Sequence, residues 1–140
     1  RRFEKHIDTE KLVYIDDYAH HPNEVSATID ATKQLYPARQ LIVVFQPHLF
    51  SRTKDFANEF AISLRGADDL VLLDIYAARE KPIRGVDSQM LLDLCHNPKK
   101  EFCAKNKLLS VLENKHIDVL LTLGAGDIGT LVQPIKKMLN

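Results

Sequence analysis

The sequence has no tryptophan, only two cysteines, only five glycines and no net charge, and each shortage removes a class of protein. Nineteen Lys and Arg balance nineteen Asp and Glu, so the chain lacks the excess of cations with which sequence-independent nucleic-acid binders neutralise phosphates. No nucleic-acid partner is expected, and short basic pairs such as Lys99-Lys100 and Lys136-Lys137 read as solvated faces. Cys95 and Cys103 form neither a CxxC pair nor the dense, even framework of a small secreted fold; they are expected to be reduced and partly buried. The longest apolar runs, such as Leu70 to Leu73 and Val119 to Leu121, fall far short of the roughly 20 residues needed to cross a bilayer, so no membrane span is expected. Arg1-Arg2-Phe3-Glu4 has none of the apolar character of a signal peptide. The expected setting is cytoplasmic, and because the chain does not open on Met it is expected to be part of a longer protein.

What is present is ordinary for a globular domain: 140 residues, 45% hydrophobic and 27% charged. One single-domain core over 1–140 follows. Phe3 to Ile7 and Leu12 to Ile15, separated by the polar Asp8-Thr9-Glu10-Lys11, predict an N-terminal β-hairpin. Pro22 suits a first helical turn, and Val25, Ile29, Thr32 and Leu35 keep helical spacing up to the breaker Pro37. Leu41 to Phe45 and Leu70 to Leu73 are continuous apolar runs of the kind covered on both faces of a sheet. Between them, Phe56, Phe60 and Leu64 mark one face of a second helix. Met90 to Leu94 and Lys107 to Leu112 predict further helices, Glu101 to Cys103 a weak strand, Ile117 to Leu123 a final strand, and a last helix begins near Asp127. This alternation is that of an α/β fold: a Rossmann-like, doubly wound, mostly parallel sheet. Ligands in such sheets gather beyond the carboxyl ends of the strands, where Asp16 to Asn23, Gln46 to Thr53, Tyr76 to Ser88 and Gly124 to Gly129 are unusually polar or glycine-rich.

Gly124-Ala125-Gly126-Asp127-Ile128-Gly129 matches the GxGxxG dinucleotide fingerprint letter for letter. That fingerprint needs a further strand ending in an acid roughly 20 residues on, and the chain stops at Asn140. A tight strand-to-helix turn, with Asp127 as cap or first-turn acid, or a loop whose amides face an anion, remain as readings. In Asp16-Asp17-Tyr18-Ala19-His20-His21-Pro22, adjacent carboxylates on extended backbone point opposite ways, so one faces the cleft while the other faces the sheet or caps. A metal held by His20, His21 and His48 is an alternative use of the imidazoles. In Gln46 to Thr53, Arg52 is either a planar fork for a carboxylate or phosphate, or a solvated neighbour of a capping Ser51.

DDYAHHP, FQPHLFSRT, IYAAREKPIRGVDS and LTLGAGDIG, in that order and with Arg1-Arg2-Phe3-Glu4 ahead of them, resemble the C-terminal domain of the Mur ligases. Within that family they are most similar to the members that join L-alanine to UDP-N-acetylmuramate. The resemblance runs from Arg2 to the end of the chain. It implies a three-domain, ATP-dependent, amide-forming ligase of peptidoglycan precursor synthesis, working through an acyl phosphate. This chain would partner its own N-terminal UDP-sugar domain and a central ATPase domain. The cofactors implied are ATP and Mg2+, held mainly by the central domain. No GxxxxGK[ST] loop occurs here, so the isolated chain is expected to be inactive.

By residue-by-residue resemblance, Asp17 matches the carboxylate that holds the ATP ribose and Arg2 the arginine near the nucleotide. Arg52 matches the partner of the alanine carboxylate. His20 and His48 are placed around the amino-acid site as candidate catalytic residues, where a neutral imidazole could take a proton or hydrogen bond from the amine. Tyr18 packs against substrate or fills the loop. Leu49 departs from the Arg often found after this His, removing one cationic contact. A murein tripeptide recycling ligase shares the first motif but typically differs in the second. It stands as an alternative, as does a non-catalytic nucleotide- or anion-binding module.

Overall fold

The computed structural model describes residues 1–140. Strands β1 (Glu4–Asp8) and β2 (Val13–Asp17) form the antiparallel hairpin. β3 (Leu41–Phe45), β4 (Asp69–Leu72), β5 (Lys99–Phe102) and β6 (Val119–Leu123) complete a six-stranded sheet of order β1-β2-β6-β3-β4-β5, every pairing beyond the hairpin being parallel. The helices are α1 (Pro22–Leu35), α2 (Phe50–Asp55), α3 (Ala57–Ser63), α4 (Ser88–Leu94), α5 (Leu108–Glu113) and α6 (Val132–Leu139). No helix is long and apolar enough to cross a membrane.

Alternation along the strands divides the core into two layers. Val13, Ile15, Val43, Phe45, Leu70, Leu72, Leu121 and Leu123 pack with Val25 and Ile29 of α1, Phe60 of α3 and Leu91 of α4. Tyr14, Ile42, Val44, Val71 and Leu120 pack on the opposite face with Leu108 and Leu112 of α5 and Val132 and Ile135 of α6. Full burial of each such Leu, Ile or Val contributes about 1.5–3 kcal/mol relative to exposure. The lysine-bearing β5 closes one edge of the sheet with Lys99 and Lys100 exposed, a charged edge that discourages pairing with another chain.

The connections β2-α1-β3, β3-α2-α3-β4 and β4-α4-β5 run outward with their helices on one face. The chain then returns through α5 on the other face to insert β6 between β2 and β3. Helices leave β6 and its two neighbours toward opposite faces, which opens a crevice at the carboxyl ends of β2, β6 and β3.

Several boundaries differ from the sequence expectation. The helix expected along Phe56, Phe60 and Leu64 is broken: α2 and α3 meet at Phe56, whose backbone (φ −119°, ψ 23°) is not helical. Phe56 is consequently half exposed while Phe60 and Leu64 are buried. Leu35, expected on the buried face of α1, is also half exposed. Asp127 opens a 3-10 turn, Asp127–Leu131, and α6 proper starts at Val132. Cys95 and Cys103 are more deeply buried than expected, and desolvation pushes both thiols up to about 11.

Candidate functional site

The two adjacent aspartates at the end of β2 are separated by the strand's own pleat. Asp16 is wholly buried and takes two hydrogen bonds from the Arg1 guanidinium, Nε to Oδ2 at 2.8 Å and Nη2 to Oδ1 at 3.1 Å, and a third from the Thr122 hydroxyl at 2.7 Å. Asp17 turns to the other side and accepts from the backbone N–H of Phe3 at 2.7 Å and of Ala19 at 2.8 Å. It lines an open pocket of about 190 Å³ with Arg2, Tyr18, Ala19, Glu24, Ala27 and Thr28. Arg2 lies over the Tyr18 ring, its guanidinium carbon 5.1 Å from the centroid, and its Nη2 donates to the Tyr18 hydroxyl at 2.5 Å. Asp17 is therefore the cleft carboxylate, and Asp16 the one spent inside the fold.

A row of rings leads away from this pocket. Centroids are 5.9 Å apart from Tyr18 to His20, 5.7 Å from His20 to His48, and 5.3 Å from His48 to Tyr76. His20 Nδ1 lies 2.9 Å from the Tyr18 carbonyl oxygen; a carbonyl only accepts, so Nδ1 donates, and in the neutral ring Nε2 is the acceptor. Glu24 fixes the start of α1 by accepting from the N–H of His20 at 3.1 Å and of His21 at 3.0 Å. His48 Nδ1 is buried without a partner. Burial first, then the Arg52 and His20 charges, hold the His48 imidazole below its ordinary pKa against the opposing pull of Glu80. His21 is held down by burial, then by Arg52 and His20. The chain has no group of three or more His, Cys, Asp or Glu arranged to hold a metal ion; the His20 ring instead lies tilted against those of His21 and His48.

Arg52 stands in the first turn of α2, and its one hydrogen bond, from Nη1 to the His48 carbonyl at 3.3 Å, is long. It has no carboxylate partner, so most of its five donors are uncommitted. The alternative reading of Ser51 as the helix cap is not what the structure has. Leu49 is the cap residue, in the left-handed region at φ 74°, while the Ser51 N–H and hydroxyl both donate to Glu80. Leu49 N–H donates to the Tyr76 carbonyl at 2.9 Å and Tyr76 N–H to the Pro47 carbonyl at 2.8 Å. These bonds clamp the Tyr76–Ser88 loop onto the start of α2 and fix both His48 and Arg52. Sequence reasoning did not single out Glu80 or Tyr76; the signals were that they lie in a long, charged loop beyond a strand and within the third of the four motifs.

The GxGxxG segment has a packing explanation. Gly124 has φ +147°, and a Cβ on Gly126 would lie 2.5 Å from Tyr76 Cγ and 2.6 Å from Gln46 Oε1. One on Gly129 would lie 3.2 Å from the Arg1 guanidinium carbon. The glycines admit close neighbours: Gln46 Nε2 donates to Asp127 Oδ1 at 2.6 Å, Gln46 Oε1 accepts from Ile128 N–H at 3.1 Å, and Lys105 Nζ reaches Asp127 at 3.1 Å. Asp127 is a first-turn acid and not the cap, which is Gly126. The tight-turn reading holds over the dinucleotide one.

A family model described as "Mur ligase, glutamate ligase domain" matches residues 1–126. The UDP-N-acetylmuramate–L-alanine ligase of Flavobacterium johnsoniae is 54% identical over 140 residues, covering 100% of this chain and 31% of the relative. The chain thus spans under a third of that relative's length. The crystal structure of UDP-N-acetylmuramate-alanine ligase from Thermotoga maritima is similar with a TM-score of 0.78 at 26% identity, over 99% of this chain and 30% of that one. A murein peptide ligase from Psychrobacter arcticus shares the fold, with a TM-score of 0.75 at 18% identity over 99% of this chain and 30% of that one. With the four motifs, the inserted central strand and the family match over residues 1–126 in agreement, the chain belongs to the Mur ligase family, by way of its C-terminal domain.

Proposed function

We propose that this chain is the amino-acid-receiving domain of a cytoplasmic, ATP-dependent ligase that joins L-alanine to UDP-N-acetylmuramate, the UDP-sugar and ATPase domains lying outside residues 1–140. One observation carries the reading: a carboxylate-lined pocket at Asp17 and an uncommitted guanidinium at Arg52 share one sheet edge, joined by the ring row of Tyr18, His20 and His48. Asp17 accepts one backbone N–H on each oxygen, and a carboxylate offers about four acceptor positions, so it retains capacity for ribose hydroxyls. Arg2, stacked on Tyr18 at the same pocket, supplies a cation beside the nucleotide. Arg52 has the donors to fork onto the alanine carboxylate.

In the reaction, a muramyl carboxylate oxygen attacks the terminal phosphorus of ATP and ADP leaves. The alanine nitrogen then adds to the acyl carbon, phosphate departs, and the nitrogen gives up a proton. Mg2+ would neutralise the phosphates from the central domain; no residue of this chain is assigned to it. The contribution of this domain is orientation: a two-point grip on a small zwitterion replaces a chance encounter by a fixed approach. In their neutral forms His20 Nε2 and His48 offer acceptors to the amine, and burial and then Arg52 hold the His48 pKa below its ordinary value.

The test is ADP release by the full-length protein supplied with ATP, Mg2+ and UDP-N-acetylmuramate. The expected result is turnover that requires L-alanine and is not supported by murein tripeptide. Tripeptide-dependent turnover would replace this reading by the recycling ligase. ATP binding without turnover on any amino acid would replace it by the non-catalytic module.

A further inference from the structure

Asp16 is the carboxylate of the first motif that the proposed reaction does not use. It is wholly buried, and it ends a directional hydrogen-bond chain. Thr122 Oγ1 donates to Asp16 Oδ1 at 2.7 Å, which leaves the Thr122 oxygen to accept from the Tyr14 hydroxyl at 2.9 Å. From the other side the Arg1 guanidinium closes on both carboxylate oxygens in a two-point fork. Gly129 packs against that guanidinium, where a Cβ would come within 3.2 Å. Arg1 is thus seated by β2, β6 and the turn after β6 together.

The backbone of the same arm is tied to the pocket. The Arg1 carbonyl accepts from Tyr18 N–H at 2.8 Å, and Phe3 N–H donates to Asp17 Oδ2 at 2.7 Å. Phe3 itself has φ 45°, a left-handed backbone that a bulky L-residue adopts rarely, and its ring packs against the core. Arg2, between Arg1 and that turn, lies across Tyr18 and lines the Asp17 pocket. The position of Arg2 follows from two anchors: the side chain before it, held by Asp16, and the backbone after it, held by Asp17.

We propose that Asp16 is a positioning residue for the nucleotide pocket, acting through Arg1 to hold the arm in the turn that sets Arg2 over Tyr18. This rests on the reading of that pocket as the ATP ribose site. Asp16→Asn retains an acceptor for Thr122 and removes the charge that Arg1 closes on, while Arg1→Ala removes the partner. An Asp16 that acts through Arg1 makes the two changes non-additive.

The test uses the full-length protein: MgATP affinity by calorimetry and Michaelis constants for ATP, alanine and UDP-N-acetylmuramate, in wild type, Asp16→Asn, Arg1→Ala and the double variant, each with a thermal melt. We expect each single variant to weaken MgATP binding and raise the ATP constant by about tenfold. The double variant should be no worse than the singles, and the alanine constant should stay within about twofold of wild type. Additive losses, a uniform rise in all three constants tracking the melt, or unchanged MgATP affinity in variants of a working wild type would overturn the positioning role. A wild type that binds no MgATP would overturn the pocket reading beneath it.

Discussion

The two ends of the parallel strands use charge in opposite ways. At the amino end, ionic groups are consumed in pairs. Arg39 Nε meets Asp118 at 2.5 Å, Lys115 Nζ bridges Asp69 at 2.8 Å and Glu101 at 2.7 Å, and Asp68 accepts from Leu41 N–H at 2.8 Å. At the carboxyl end, capacity is left over: Arg52 has one long bond, His48 Nδ1 has none, and Asp17 accepts only two. Leaving such groups unpaired costs stability. Asp69 Oδ1 at the amino end is also unpartnered, but Lys115 holds its other oxygen, so the contrast rests on Arg52 and Asp17, whose spare capacity the proposed ligands would use. Asp16 and Asp17 show the same division at neighbouring positions of one strand.

The comparison sharpens with substitutions that should separate stability from kinetics. The larger effect is expected at the amino end. Lys115→Met leaves Asp69, nearly buried and with Oδ1 already unpartnered, facing Glu101 without a cation; the loss should be about 2 kcal/mol of stability. Denaturant unfolding of this chain would record it, and the Michaelis constants of the full-length protein should not move. A kinetic defect specific to one substrate would break the division between the ends.

A smaller effect is expected with pH at the carboxyl end. His21 and His48 are held below the ordinary value of 6.5, so as pH falls the unfolded chain takes up protons first. The stability they contribute is whole above about 6.5 and is lost as pH falls through that value toward the lower folded ones. Thermal melts between about pH 7.5 and pH 5 should show a decline that is shallower in His48→Gln. An equal decline in the variant would place the acid sensitivity elsewhere.

The strands were legible because Leu41–Phe45 is an unbroken apolar run and Val119–Leu123 is one but for Thr122, and polar or glycine-rich loops follow them. The insertion of β6 between β2 and β3 was not, since strand order is set by pairings across most of the chain. The break at Phe56 escaped the periodicity because Phe60 and Leu64 kept their spacing after the helix changed direction. Alternation showed that Asp16 and Asp17 point apart, but the assignment of roles waited on Arg1 and Thr122, the latter 106 residues from Asp16. Other partners at this end are also distant in the chain: Gln46 and Asp127 are 81 residues apart and Ser51 and Glu80 are 29. No local pattern announces them. The glycine motif was legible as a tight turn, and its close neighbours Tyr76 and Gln46 supply the reason.

The division of the two ends stands most exposed at Arg52, a half-buried cation of the carboxyl edge whose one side-chain hydrogen bond is long. Arg52→Lys keeps the charge and removes the planar fork. Steady-state kinetics of the full-length protein with each substrate varied in turn, beside a thermal melt, should show the alanine Michaelis constant raised roughly ten- to hundredfold, which is about 1.5–3 kcal/mol for a lost charge-assisted pair. The ATP and UDP-sugar constants and the melt should be nearly unchanged. An alanine constant equal to that of the wild type would contradict the account, because the spare donors of Arg52 would then have no ligand to explain them.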